Sequence, residues 1–213
     1  QVKSAVWTVA NAKSQVISTG RTVSWDDTSA DSLLESCDET LSDGSNRVDA
    51  SGRVQPEKVI LGLPADWLTT DKISPEKLSL LKTVTQKLSL SVVGYVITPE
   101  AVVRYLKDQD NSPPTAVLLG IWPHHVAITI ARLGKINGTH LVARSSQITS
   151  DVLEGLNRFG RQDMLPSRIL LYDSGLDLDP IRQSLLGFAW QAPQHQLSFL
   201  HFPKIEALPA DFF

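Results

Sequence analysis

The chain has 213 residues with 20 basic and 23 acidic side chains, which give a formal net charge of −3 at pH 7. This composition is typical of a globular protein, and the lack of a basic excess argues against a nucleic-acid binder. Cys37 is the single cysteine, so the sequence offers neither an internal disulfide nor a cysteine-rich zinc site and suits a reducing compartment. No apolar run approaches the roughly 20 residues of a membrane-spanning helix.

The first fifty residues predict a β-hairpin followed by a helix. Val2–Val9 and Val16–Trp25 are β-rich stretches separated by a polar, turn-like segment. Asp26–Asp43 is acidic but has apolar residues at helical spacing, which predicts an amphipathic helix. Its buried face would consist of Leu33, Leu34, Cys37 and Leu41. Gly44–Pro56 is polar and predicts a surface loop.

Two apolar runs, each followed by a helical pattern, complete the first half. Val59–Leu63 and Ser91–Ile97 predict buried strands. Ser74–Leu88 predicts a helix, because it opens with a Ser-Pro pair that is typical of a helix N-terminus. Pro99–Lys107 predicts a second, shorter helix, and the polar segment Asp108–Pro114 predicts a linker.

The second half predicts three strands, a helix, a strand, a helix and a final strand. These segments are Ala116–Trp122, Val126–Leu133, Gly138–Arg144, Ser150–Phe159, Arg168–Tyr172, Asp179–Leu186 and Leu197–Phe202. Gly134 and the Asn137–Gly138 pair supply turn residues between the first three strands. The first half has the same order without its opening strand. We therefore predict an α/β protein with a duplicated β-β-β-α-β-α-β architecture, its halves at residues 1–110 and 111–213.

This order of elements resembles the ribonuclease H-like domain that is duplicated in the actin-like ATPase superfamily, which includes actin and the heat-shock chaperone ATPase domain. The segment VILGLPADWL is similar to the family's strand that ends in a proline turn. SPEKLSLLKTVTQKLSLSVVGYVITPEAVVRYL is similar to the helix, strand and connecting helix that follow. TAVLLGIWPHHVAITIARLGKI takes the place of the second phosphate hairpin, and RILLYDSGLDLDPIRQSLL that of the adenosine motif. The chain resembles the bacterial pilus-assembly and cell-division actin homologues most, because it has no room for the large insertions of actin and the chaperones.

The resemblance implies ATP and Mg²⁺ as ligands and places seven residues of this sequence in their site. Lys3 stands where the first phosphate loop has a lysine. The second phosphate loop contains Gly120, Ile121 and Trp122, and the adenosine turn contains Asp173, Ser174 and Gly175.

The nucleotide motifs are nevertheless degenerate. The Asp-Gly turn of the first phosphate loop is not in the chain. Residue 1 is Gln rather than Met, and two alternatives stay open: the turn lies just upstream if the chain is a fragment of a longer protein, and the loop is absent if the chain is complete. Gly120 replaces the metal-binding aspartate of the second loop, and Trp122 and Pro123 replace glycines; a proline has no N–H to offer a phosphate. Trp67 and Trp122 would both lie near the family's nucleotide cleft, where they either fill it or cap the core. We predict no catalytic residue and no metal ligand.

The leading hypothesis is a scaffold or assembly factor of the pilus-assembly or cell-division type, with weak or no nucleotide turnover. Two alternatives stay open: an ATP-hydrolysing ATPase whose first phosphate loop lies upstream of residue 1, and a ligand-free protein-interaction domain. The resemblance implies protein partners, among them a membrane-associated complex, and a cytoplasmic location at the inner face of the membrane. It also implies self-association, whereas charge and hydropathy predict neither a nucleic-acid partner nor a membrane span.

Overall fold

The computed structural model of the chain describes residues 1–25, 29–51, 56–69, 72–160, 164–173 and 175–209, which contain eleven strands and five helices. The strands are β1 Ala5–Ala10, β2 Lys13–Thr19, β3 Lys58–Leu63, β4 Leu68–Thr69, β5 Lys72–Ile73, β6 Ser91–Ile97, β7 Ala116–Ile121, β8 His125–Arg132, β9 Lys135–Ala143, β10 Arg168–Asp173 and β11 Lys204–Ala207. The helices are α1 Ala30–Val48, α2 Pro75–Lys87, α3 Thr98–Asp110, α4 Ile148–Asn157 and α5 Asp179–Leu186. The chain is therefore of the α/β class, as predicted.

The chain divides into two compact units. The first comprises Gln1–Gly62 and Trp67–Tyr95, and the second comprises Leu63–Asp66 and Val96–Phe213. Helix α3 accordingly belongs to the second unit. The duplicated halves at 1–110 and 111–213 stay a prediction, because a duplicated half and a compact unit are different divisions of a chain.

The second unit is built on a five-stranded mixed sheet in the order β11-β10-β7-β8-β9. From β7 onward its element order, three strands, a helix, a strand, a helix and a strand, is the predicted one. All six residues of β7 are buried, with alternate side chains on opposite faces of the sheet. Val117 and Leu119 belong to an apolar cluster with residues of α4 and α5, whereas Leu118 packs in a cluster with Val102 and Leu106 of α3.

The first unit contains the predicted hairpin and a parallel strand pair. β1 and β2 are antiparallel and joined by a tight turn. β3 pairs with β6, and α2 connects them. The Ser91 N–H donates to the Glu57 carbonyl at the starts of these strands, and the Thr98 hydroxyl donates to the Leu63 carbonyl at their ends, so the two strands run parallel. The Ser74 hydroxyl caps α2 as predicted, accepting a hydrogen bond from the Lys77 N–H.

The buried face of α1 differs from the predicted one. It consists of Leu33, Ser36, Thr40 and Gly44. The small side chains allow close contact with the hairpin backbone: a Cβ on Gly44 would lie 3.2 Å from the Gly20 nitrogen, and the Ser4 hydroxyl donates to the Thr40 carbonyl at 2.7 Å. The predicted loop at Gly44–Pro56 begins only after Val48, and the predicted start of the helix at 26–28 lies outside the described residues.

Three further predictions about strands are wrong. β3 and β6 form, but as a two-stranded pair they leave Ile60, Val93 and Tyr95 about half exposed rather than buried. The β8–β9 turn uses Leu133 and Gly134, both at positive φ, while the Asn137–Gly138 pair lies inside β9 at a bulge.

The last strand of the sheet is β11, Lys204–Ala207, and not the predicted Leu197–Phe202. Phe199 instead makes a single bridge to Leu165 and packs against Trp190, with 6.3 Å between ring centroids. The apolar residues of 197–202 therefore reflect the anchoring of a loop in the core, which periodicity does not distinguish from a short strand.

Candidate functional site

The expected second phosphate hairpin is the turn between β7 and β8. It is held closed by its own hydrogen bonds: the Trp122 N–H donates to the His125 carbonyl at 3.0 Å, and the Arg144 N–H donates to the His124 carbonyl at 2.9 Å. The Arg144 guanidinium also donates to the Trp122 carbonyl at 3.0 Å. The Trp122 N–H and the carbonyls of Trp122 and His124 are thus used within the second unit.

The expected adenosine turn lies beside that hairpin. β10 runs parallel to β7, with Tyr172 opposite Gly120 and Asp173 opposite Ile121, so both strands end at the same edge of the sheet. Gly175 follows with φ of +117°, a conformation that favours glycine. The fold therefore brings together five of the seven predicted residues, namely Gly120, Ile121, Trp122, Asp173 and Gly175.

The other two predicted residues are placed differently. Lys3 belongs to the first unit, where its side chain is exposed next to Val2, which forms a β-bridge with Val23. Ser174 lies outside the described residues.

The Trp122 indole folds back over Gly120. A Cβ on Gly120 would overlap the Trp122 ring and would lie 2.8 Å from the Tyr172 Cζ atom. The indole also stacks on the His125 imidazole, with 5.0 Å between centroids and 12° between planes, and meets the Tyr172 ring edge-on at 5.8 Å. Burial raises the pKa of the Tyr172 phenol, so this side chain is neutral at physiological pH. The environment around Gly120 is therefore aromatic and apolar.

This hairpin does not fit a Mg²⁺-bound phosphate. A phosphate site needs free backbone N–H donors and open backbone, and the metal needs an oxygen ligand. Pro123 has no N–H, the Trp122 N–H is already bonded, and the open face of Gly120 is covered by the indole. The hairpin from Gly120 to His125 contains no carboxylate.

Sequence reasoning identified the unsuitable residues of the hairpin but missed the contacts that close it. The Trp122–His125 stack and the Arg144 bond depend on how the turn directs its side chains. A signal for Arg144 was its position at the end of β9, where a long donor reaches the neighbouring turn. Trp67, the other predicted cleft aromatic, meets Trp25 edge-on at 6.0 Å within the first unit, and the Lys77 ammonium lies 5.1 Å from its ring centroid.

Other chemistry is sparse in the part of the chain that the structure describes. No group of three His, Cys, Asp or Glu side chains there is arranged to hold a metal ion. Within the same residues, no helix is both long enough and apolar enough to cross a membrane. Burial raises the pKa of Cys37 to about 11, which keeps the thiol protonated and poorly nucleophilic.

A charged groove of about 520 Å³ lies at the opposite end of β10 from the nucleotide motifs. The Arg168 guanidinium is held there by Asp110 at 2.5 Å and by Glu206 at 3.2 Å, and the Lys204 ammonium lies 2.5 Å from Glu206. Because each of these cations is paired with a carboxylate, the groove offers an anion little uncompensated positive charge.

Comparisons with known proteins identify the fold. Neither a protein-family model nor a curated protein sequence matches the chain. The solved structure "PilM-PilN type IV pilus biogenesis complex" is similar with a TM-score of 0.66 and 10% identity, over 95% of this chain and 84% of that one.

Two further solved structures have the same fold at lower similarity. The ethanolamine utilization protein EutJ from Carboxydothermus hydrogenoformans has a TM-score of 0.52 and 12% identity, over 84% of this chain and 69% of its own. A protein with actin-like ATPase fold and unknown function from Bacteroides thetaiotaomicron VPI-5482 has a TM-score of 0.51 and 12% identity, over 93% and 82%. The chain thus has the actin-like ATPase fold, which confirms the predicted resemblance, with a pilus-assembly protein among its structural neighbours.

Proposed function

We propose that the protein is an actin-fold scaffold or assembly factor that acts through protein contacts and has weak or no nucleotide turnover. The observation that carries the proposal is the Trp122 indole, which covers Gly120 and packs against Tyr172 where a phosphate would approach. A hairpin without a carboxylate, whose Trp122 N–H is bonded internally and whose Pro123 has no N–H, lacks the groups that stabilise a transferring phosphoryl group.

The proposed partners are proteins. The neighbour of TM-score 0.66 comes from a PilM-PilN type IV pilus biogenesis complex, which supports a role of the pilus-assembly type for this chain. We further propose that the protein lies in the cytoplasm, at the inner face of the membrane through its partners, and that it self-associates as part of the assembly. A ligand-free interaction domain is the second candidate, and the aromatic packing around Gly120 favours it over weak nucleotide binding.

Titration calorimetry with Mg²⁺-ATP tests the proposal. We expect no binding heat up to millimolar ATP, either for the unaltered chain or for Trp122→Gly, because removal of the indole does not restore a metal-binding carboxylate. Circular dichroism on the same samples controls for folding. Binding at micromolar strength by the unaltered chain, about −8 kcal/mol, would overturn the proposal and favour the ATPase alternative.

Sedimentation of the protein with and without Mg²⁺-ATP adds a second readout. A scaffold that ignores nucleotide keeps the same distribution of oligomers in both samples. ATP-dependent polymerisation or sustained phosphate release over many turnovers per chain would contradict the proposal even if the calorimetric signal were small.

A further inference from the structure

The three most exposed large apolar side chains of the described residues lie at one edge of the second unit's sheet. Leu133 is 77% exposed, Phe202 is 65% exposed and Leu200 is 60% exposed. β7, β10 and β11 begin at this edge and β8 ends there, so it is the edge opposite the expected phosphate hairpin. Exposed apolar side chains that occur singly are ordinary, whereas their accumulation at one edge indicates a contact surface.

Hydrogen bonds connect the backbone segments that carry these side chains. The guanidinium of Arg132, next to Leu133, donates to the carbonyl of Met164 at 2.7 Å, and Met164 is itself 49% exposed. The Leu200 N–H donates to the carbonyl of Leu165, the residue after Met164, at 3.2 Å. The segments therefore form one continuous surface. We call this surface, which consists of Leu133, Met164, Leu200 and Phe202, the apolar edge.

Leu133 is an unfavourable residue for its own position. The turn between β8 and β9 consists of Leu133 and Gly134, with φ of +50° and +75°, and the Leu133 N–H is fixed by a 3.0 Å bond to the Thr115 hydroxyl. Two-residue turns of this geometry prefer Asn-Gly, because a leucine is strained in the left-handed region. Since the leucine side chain is mostly exposed, packing among the described residues does little to offset this strain. A strained residue without compensating packing indicates a role outside the fold.

The charge at the apolar edge is positive. Arg132 precedes Leu133 and Lys135 follows the turn, and residues 111–150 contain neither Asp nor Glu. The charged groove beside the apolar edge is balanced, because its two cations are bonded to its two carboxylates. Arg132 and Lys135 therefore give this edge a local positive charge, although the protein as a whole has a net charge of −3.

We propose that the apolar edge docks an acidic segment of a partner protein, with Leu133 and Phe202 as its apolar contacts. Opposite charge draws such a segment to Arg132 and Lys135, and its apolar side chains cover the exposed leucine and phenylalanine. Phe202 also lines the groove of about 520 Å³, and a chain segment can fill this concave surface whereas a flat bilayer cannot. The inference rests on the proposed function through protein contacts and adds the surface and the chemistry of the partner.

The melting temperature of Leu133→Asn distinguishes a binding leucine from a structural one. Because asparagine suits the first position of this turn, we expect the melting temperature to rise by about 2–4 °C, measured by circular dichroism. Ala12→Gly is the matched control, since Asn11 and Ala12 form the β1–β2 turn with φ of +52° and +59°. Ala12→Gly should stabilise the protein in the same way without touching the apolar edge. A lower melting temperature for Leu133→Asn would show that the leucine packs within the fold, which would overturn the inference.

Fluorescence anisotropy with two labelled peptides tests the partner. One peptide consists of four repeats of Leu-Glu-Glu, and the other has lysine in place of every glutamate. We expect the unaltered chain to bind the acidic peptide about tenfold or more tightly than the basic one. Leu133→Asn and Phe202→Ser should each weaken binding of the acidic peptide about fivefold or more, whereas Ala12→Gly should bind as the unaltered chain does.

Three other outcomes would overturn the inference. The first is equal binding of the two peptides, or no binding of either at millimolar concentration. The second is binding of the acidic peptide that neither Leu133→Asn nor Phe202→Ser weakens. The third is sedimentation of the protein with vesicles of phosphatidylcholine and phosphatidylglycerol that Leu133→Asn abolishes, which would assign the apolar edge to a membrane. The calorimetric titration with Mg²⁺-ATP does not involve this surface, so the lack of nucleotide turnover is tested independently of the docking surface.

Discussion

Gly120 is the position at which the smallest change tests the closed hairpin. A methyl group there would overlap the Trp122 ring and approach the Tyr172 Cζ atom to 2.8 Å. Because Tyr172 is buried and cannot move away freely, Gly120→Ala should destabilise the protein by about 1–3 kcal/mol through overpacking. Urea unfolding followed by fluorescence measures this change in the free energy of unfolding.

Gly94→Ala is the matched control for that measurement. Gly94 is also a strand glycine, but no heavy atom lies within 4 Å of its added Cβ. Replacement by alanine should be neutral, or stabilising by about 0.5–1 kcal/mol, because glycine loses more conformational freedom on folding. If both variants lost the same free energy of unfolding, the indole would not lie over Gly120 as described.

At the scale of single residues, the sequence shows which chemical groups the hairpin contains but not which way its side chains point. The absence of a carboxylate and the missing N–H of Pro123 follow from residue identity alone. That the Trp122 indole turns back onto Gly120 and stacks on His125 does not, because a side chain in a three-residue turn can point to either face. The aromatic cover of the site therefore became visible only in the structure.

Elements were predictable where local signals and burial agree. β7 and β8 have long apolar runs and are buried on both faces, and α2 has a Ser-Pro start that the structure uses. The predicted turn at Asn137–Gly138 failed because a bulge uses the same residues, and the turn itself formed four residues earlier, at Leu133 and the predicted Gly134. The bulge depends on the pairing of β8 with β9, which lies beyond the range of a local pattern.

One network of charges joins three elements of the second unit. Arg168 of β10 bonds Asp110 at the end of α3 and Glu206 of β11, and Lys204 also bonds Glu206. The hydrogen bond from Lys204 first, and then that from Arg168, holds the pKa of Glu206 below its ordinary value of 4.5, although desolvation acts in the opposite sense. The carboxylate therefore favours the folded state when it is ionised.

The lowered pKa gives a pH dependence with a definite sign. The contribution of Glu206 is fully present above its unfolded pKa of about 4.5 and is lost as the pH falls through the lower folded value. Glu206→Gln should therefore lose less stability than the unaltered chain between pH 5 and about 3, and Lys204→Met should show an intermediate slope. Urea unfolding across this pH range is the measurement. Lys135→Met, at the exposed start of β9, is the control, and a slope unchanged by Glu206→Gln would refute the assignment.

The whole molecule combines one complete sheet with a unit whose strands lie in pairs. In the second unit β7, β8 and β10 are central in a five-stranded sheet, while the described strands of the first unit form two-stranded pieces. The duplicated architecture was predicted from the order of elements, because that order follows directly from the strand and helix patterns along the chain. The exposure of β3 and β6 was not predictable, because the burial of a strand depends on how many strands pair beside it, which the pattern of Val59–Leu63 does not reveal.

This contrast predicts unequal local stability within residues 1–213. Strands with partners on both sides open only when the unit unfolds, whereas a two-stranded piece opens at a smaller cost in free energy. We expect amides of Ala116–Ile121 and of Val126–Ala131 in native-state hydrogen exchange to be protected about a hundredfold or more beyond those of β1 and β3. The amide protection of helix α2, which packs on α1 in the first unit, is compared in the same way with that of α4 in the second unit. The slow strands should also lose protection together as urea is raised, at a denaturant concentration above that at which β1 and β3 exchange freely. Equal protection in the two units would instead mean that they unfold as one cooperative body and that the paired strands of the first unit cost the fold no stability.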